Sequence, residues 1–177
     1  MGNAWVWVVS DALTALGQLA KHYKNEIFCS VLALTGSSGK TTTRELLVAI
    51  LSKKYNVHSA KKNLNNEIGL PLTMLDAPPT AHIMVLEMGM NHQGEIMRLA
   101  QVCEPLVGMI TNVDYAHVGL LGSRDAIADA KSEIFTGLNP RGYMFLHRDD
   151  DYFEYFDKKC PAEVRDYGLS DIEILED

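Results

Sequence analysis

Gly36, Gly39, Lys40 and Thr41 form a Gly-x-x-Gly-Lys-Thr run where an apolar stretch ends and a helix-like stretch begins. A glycine-bearing turn at such a junction aims several backbone N–H groups at one point. The helix N-terminus adds partial positive charge there. Gly36, Ser37, Ser38, Gly39, Lys40, Thr41 and Thr42 are therefore candidates for holding phosphate. The Lys40 ammonium can reach terminal phosphates, and the Thr41 hydroxyl can sit on Mg²⁺. The run is shorter than the usual GxxxxGK[ST], because the residue five before Gly39 is Leu34. Alone, it could be an ordinary glycine-rich helix entry. The strand–loop–helix context favours a nucleotide and says little about the reaction.

Later residues could supply that reaction. Glu87 ends the apolar run HIMVLEM, and a carboxylate at the C-terminal end of a parallel strand faces the ligand crevice of such sheets. It could hold Mg²⁺ beside Thr41, or be a surface Glu at a strand end. Asn112 and His117 follow the next apolar run in ITNVDYAHVG. A loop His can ligate metal through its neutral imidazole, although most loop histidines are simply hydrogen-bonded. Lys131 lies in IADAKSEIF, with Ala128, Ala130, Ile134 and Phe135 marking an apolar side near it. An isolated Lys is ordinarily solvated. One pushed inward loses its charge readily, and a neutral amine can take up CO₂ as a carbamate, an oxygen ligand for metals. The polar loop KKNLNNEIGLP (61–71) is rich in Asn, which suits turns, and it follows the second strand, where substrate would sit.

The elements that must position these residues alternate. SDALTALGQLAKHYKN reads as an amphipathic helix with Ser10 as a candidate cap. IFCSVLALT (27–35) and HIMVLEM (82–88) read as buried strands, LVGMITNV and GYMFLH as strands, and NVHSA, EVRDYG and IEIL as short ones. TTRELLVAILSKKY, NEIGLPLTML, GEIMRLAQVC, SRDAIADAKSEIFTGL and DDYFEYFDKK read as helices, the aromatics of the last packing on the sheet. This βαβα order predicts an α/β fold: a mostly parallel P-loop-type sheet with helices on both faces.

The chain has 177 residues, 47% of them apolar, enough for one domain or one domain plus part of another. A formal charge of −7 disfavours a broad nucleic-acid surface. Cys29, Cys103 and Cys160 lie far apart without a CxxC, which suits a reducing compartment and argues against a zinc site. No run approaches the ~18 apolar residues that span a bilayer. The N-terminus lacks a basic region before its apolar residues, and position 6 is Val, which argues against a signal peptide and against myristoylation at Gly2. The expected address is the cytoplasm.

TGSSGKTTT, NLNNEIGLP, LEMGMNHQGEI, ITNVDYAHVGLLGS and DAKSEIF, in that order, resemble the central ATP-binding domain of the Mur ligases. NNEIGLP and EMGMNHQGEI are closest to members that add D-alanyl-D-alanine rather than a single amino acid. The resemblance implies ATP and two Mg²⁺ ions as cofactors, with UDP-N-acetylmuramoyl-tripeptide and D-alanyl-D-alanine as substrates of the full-length enzyme. ATP would phosphorylate the tripeptide carboxylate, and the amine of D-alanyl-D-alanine would attack the acyl phosphate. By motif, Lys40 and the loop amides would hold phosphates, and Thr41 and Glu87 the first Mg²⁺. His117 and carbamylated Lys131 would help hold the second, with Glu67 and Asn112 bordering the reacting centre.

Family members have three domains. The resemblance implies that residues 1–26 lead into the central domain, that 27–177 form that domain incompletely, and that an N-terminal UDP-sugar domain and a C-terminal Rossmann-like domain are absent. Where the family often has Leu-Asn-x-Asp-Asp, this chain has Leu146-His147-Arg148-Asp149-Asp150. Other readings stay open at this point: a single-residue muramyl or folylpolyglutamate-type ligase, a P-loop kinase or NTPase, or a non-catalytic nucleotide-binding module.

Overall fold

The computed structural model describes residues 6–60, 63–115 and 118–171. Six strands form one sheet in the order β2-β3-β1-β4-β5-β6: β1 (Ser30–Thr35), β2 (Val57–Ser59), β3 (Ile83–Glu87), β4 (Val107–Ile110), β5 (Tyr143–His147) and β6 (Glu163–Tyr167). All five pairings among the described residues are parallel, in keeping with the expected parallel sheet. The helices are α1 (Ala12–Glu26), α2 (Lys40–Leu51), α3 (Gly69–Leu75), α4 (Glu95–Cys103), α5 (Val118–Leu121), α6 (Arg124–Ser132) and α7 (Phe153–Lys159). The helix expected to run past Ser132 tightens into a 3-10 turn over Glu133–Thr136. The expected strand IEIL lies outside the described residues.

Chain direction sets which face each helix covers. The β1–α2–β2 crossover steps one way across the sheet, and every later crossover steps the other way. Right-handed crossovers therefore put α2 on one face and α3, α4, α6 and α7 on the other. The main core lies on the second face. Val31 and Ala33 of β1, Met84 and Leu86 of β3, and Met144 and Leu146 of β5 meet Met74, Ile96, Leu99, Ile127 and Ile134 from the helices there. Alternation along β3 sends Val85 and Glu87 to the opposite face, under α2.

Two expected boundaries shift. Helix α1 is capped by Asp11 rather than Ser10, because the Asp11 carboxylate accepts from Thr14 N at 2.6 Å. Strand β1 begins at Ser30, not at residue 27. Ile27 closes α1, and Phe28 takes φ = 52°, which turns the chain before pairing starts. The α7 aromatics behave as expected: Phe156 is buried, and Tyr152, Phe153 and Tyr155 pack against the core.

Candidate active site

The phosphate-loop candidate sits where β1 is gripped on both sides. Leu34 O accepts from Met88 N at 2.8 Å, and Thr35 Oγ1 donates to Met88 O at 3.0 Å. From β4, Thr111 N donates to Thr35 O at 2.9 Å. Beyond Thr35 the backbone must turn hard against this strand. Gly36 has φ = 152°, and a Cβ there would lie 1.8 Å from Thr111 Oγ1. Gly39 then takes φ = 77° as the N-cap of α2, in the left-handed region that suits glycine.

The residues after β4 strap the loop down. Ser37 N donates to Asn112 O at 3.0 Å, and the Ser37 hydroxyl both donates to Asp114 O at 3.1 Å and accepts from Asp114 N at 2.8 Å. Asn112 Oδ1 accepts from Ser38 N, and its Nδ2 donates to Ser38 Oγ, both at 2.9 Å. Thr111 Oγ1 donates to Ser38 O at 2.7 Å. Lys40 Nζ reaches back over the loop to Gly36 O at 2.7 Å. Its pKa is lowered by burial, an effect partly offset by the Glu87 charge.

Gly36, Lys40, Thr41, Glu87 and Lys131 line one cavity of about 420 Å³. Thr41 Oγ1 donates to Glu87 Oε2 at 3.3 Å. The other Glu87 oxygen, Oε1, lies 3.0 Å from Arg44 Nη1. Lys131 is 1% exposed, and none of the described residues gives it a hydrogen bond or ion pair. Burial, and secondarily repulsion from Lys40, pull its pKa down to about 7. Burial and a neighbouring like charge both disfavour the ammonium, so an appreciable fraction is neutral amine near pH 7.

Other sequence candidates stand elsewhere. Asn112 braces the loop through Ser38 and is not among the cavity-lining residues. Thr42 is exposed on α2. Glu67 pairs with Arg98 and lines a neighbouring groove between α1, α3 and α4. His117 lies outside the described residues.

Several lining residues were not singled out from sequence. Asn63, Asn65 and Asn66 come from the polar loop, and Asn91 and Glu95 from the entry to α4. Gly89 N donates to Asn65 O at 2.8 Å, and a Cβ on Gly89 would lie 2.9 Å from Asn65 Cγ, so that glycine lets the two segments meet. Arg44 was also missed. Its spacing, three residues after Thr41 and so on the same helical face, was the available signal.

The residues present fit a cation held together with phosphate. Among them no three His, Cys, Asp or Glu converge on a metal position. Mg²⁺ does not need such a cage: it is commonly held by one or two carboxylates plus phosphate oxygens and waters. One buried carboxylate beside a threonine hydroxyl, at the mouth of a phosphate-loop candidate, is that kind of donor set.

Residues 34–174 match the Mur ligase middle domain. The chain belongs to that family. A UDP-N-acetylmuramoyl-tripeptide–D-alanyl-D-alanine ligase of Bacillus subtilis (strain 168) is 47% identical over 181 residues, covering 99% of this chain and 39% of that ligase. A crystal structure of MurF from Acinetobacter baumannii superposes with a TM-score of 0.87 at 38% identity, over 91% of this chain and 36% of that one. MurF from Thermotoga maritima, solved in complex with ADP, gives 0.85 at 31% identity, over 92% of this chain and 38% of that one. The chain thus spans between about a third and two-fifths of the length of the relatives it matches. No helix among its described residues is long and apolar enough to cross a membrane.

Proposed function

We propose that this chain is the ATP-phosphate-binding part of a ligase that joins D-alanyl-D-alanine to UDP-N-acetylmuramoyl-tripeptide through an acyl phosphate. One observation carries the reading: Lys40, Thr41, Glu87 and Lys131 line a single cavity in a chain whose relatives bear that ligase name. On this reading the reaction belongs in the cytoplasm.

The reaction must bring two anions together, a carboxylate and a triphosphate. Lys40 and the N–H groups of residues 36–41 hold phosphate oxygens and offset that repulsion. Thr41 and Glu87 would hold a first Mg²⁺. Lys131, once carbamylated, would offer an oxygen donor for a second, and by the motif resemblance His117 would join it. When bound, these ions screen the repulsion and stabilise charge spreading over the transferred phosphoryl group. The substrate carboxylate attacks the terminal phosphorus itself and ADP leaves, so no protein nucleophile is needed. The amine of D-alanyl-D-alanine then attacks the acyl carbon, loses a proton, and phosphate departs. Glu67 and Asn112 act at one remove: Asn112 keeps the loop in shape, and Glu67 stands in the adjoining groove.

The test is a transplant. The matching segment of the Bacillus subtilis ligase is replaced by this chain, and ligation is assayed with ATP, UDP-N-acetylmuramoyl-tripeptide and D-alanyl-D-alanine. The chimera is expected to ligate, and to lose that activity with Lys131→Ala or Glu87→Ala. A folded chimera that releases phosphate without forming the amide contradicts the reading. By itself the chain is expected to bind nucleotide without ligating.

A further inference from the structure

We propose that Arg44 is a positioning residue for Glu87, setting the face which that carboxylate turns toward a divalent cation bound with nucleotide. The inference rests on the nucleotide reading above. Of the α2 residues, all of them described, only Arg44 is buried. Burying a guanidinium costs free energy unless it is paired, so its place needs a reason. Its Nη2 pairs outward with the exposed Glu45, and its Nη1 points inward, 3.0 Å from Glu87 Oε1, with the Arg44 and Glu87 side chains 6% and 3% exposed. The other carboxylate oxygen accepts from the Thr41 hydroxyl at 3.3 Å.

Glu87 is thus held differently at its two ends. Oε1 faces a fixed positive charge. Oε2 faces a neutral hydroxyl whose hydrogen bond can be exchanged for another ligand. Glu87 and Thr41 line the cavity and Arg44 does not, so Arg44 acts on a ligand only through Glu87. The arrangement suits Mg²⁺, which tolerates little departure from octahedral geometry and gains from a carboxylate already aimed. Arginine suits the task because it keeps its charge at a buried position where a lysine would readily lose its proton. Lys40 supplies positive charge to the same cavity but cannot replace that hold: among the described residues its ammonium donates to Gly36 O and Ser37 O, not to Glu87.

The experiment is a titration of Mn²⁺ in the presence of ADP, followed by the paramagnetic signal of free Mn²⁺, on wild type, Arg44→Lys, Arg44→Met, Glu87→Gln and the Arg44→Met/Glu87→Gln double variant. Arg44→Met is expected to weaken Mn²⁺ about tenfold or more, as loss of a residue that orients a metal ligand does. Its affinity for ADP without cation should stay at the wild-type value. Arg44→Lys should recover part of the loss, and Arg44→Met should add nothing in the Glu87→Gln background. Wild-type Mn²⁺ affinity in Arg44→Met overturns the proposal, as does an undiminished loss in the double variant. Should Arg44→Met fail to fold, Arg44→Lys carries the test: weaker Mn²⁺ with wild-type melting supports the proposal, and unchanged affinity overturns it. A wild-type chain that binds ADP but takes up no Mn²⁺ with it defeats the underlying cation reading instead, and is told apart by that control.

Discussion

Lys131 shows how one buried side chain links stability to chemistry. Its amine is held near pKa 7 in the fold and returns to its ordinary 10.5 once the chain unfolds and water surrounds it. Below about 7 both states carry the proton, so pH has no leverage through this group. Between about 7 and 10.5 the unfolded state binds more protons than the folded state, and stability rises with pH. In CO₂-free buffer, urea unfolding should show wild type gaining on the order of 1 kcal/mol per pH unit across this window relative to Lys131→Met. Parallel profiles would contradict the burial argument. With bicarbonate present, the native-state mass of wild type should rise by one CO₂, and that of Lys131→Met should not. Gly36 makes a simpler case. Alanine there drives a methyl into Thr111 Oγ1, so Gly36→Ala should destabilise by roughly 1–3 kcal/mol and abolish ADP binding. Wild-type behaviour in both readouts would show that the loop can relax without losing its shape. The loop and Glu87 were readable from sequence because residue type and position at strand ends restrict what they can do. Arg44 was not, because its meaning lies in a carboxylate 43 positions away that only folding brings to 3.0 Å.

At the scale of elements, continuous apolar runs gave away the central strands, since a parallel strand covered on both faces needs no alternation. Their ends were harder to read. Nothing in the letters IFCS shows that Phe28 adopts positive φ and delays β1 to Ser30. Ser10 and Asp11 are both good caps, and only the geometry of the first turn selects Asp11. Strand β5 shows what alternation decides. Leu146 faces the helical layer and is 1% exposed, whereas Phe145 faces the other way and is 38% exposed. Leu146→Ala should cost about 2–5 kcal/mol by denaturant unfolding, because it empties a packed position. Phe145→Ala should cost about 1 kcal/mol or less, although it removes the larger side chain. Equal losses would mean that the core extends over both faces of this strand. Glu133 shows the same dependence on context: its carboxylate accepts from Gly94 N at 2.6 Å and Met97 N at 3.1 Å, tying the turn after α6 to the start of α4. That tie steadies the helix entry carrying Asn91 and Glu95, and no local pattern announces it.

At the scale of the molecule, strand order is what makes a site from scattered segments. Placing β1 between β3 and β4 sets the ends of three strands side by side, and the cavity then collects residues from 35–41, 63–66, 87–95 and 131. The βαβα rhythm predicts a parallel sheet but not this order, which depends on crossovers that skip a neighbour. The resemblance to the Mur ligases named the fold, and the order itself comes from the structure. The proposed function makes one central demand of the cavity: a nucleotide's phosphates and a divalent cation occupy it together. Calorimetric titration of this chain with ADP, once with excess Mg²⁺ and once with a chelator, tests it most directly. ADP should bind about tenfold or more tightly with Mg²⁺, and that gain should vanish in Glu87→Gln while Lys40→Ala weakens both titrations. Equal affinity with and without Mg²⁺, or binding that ignores Lys40, would contradict the account.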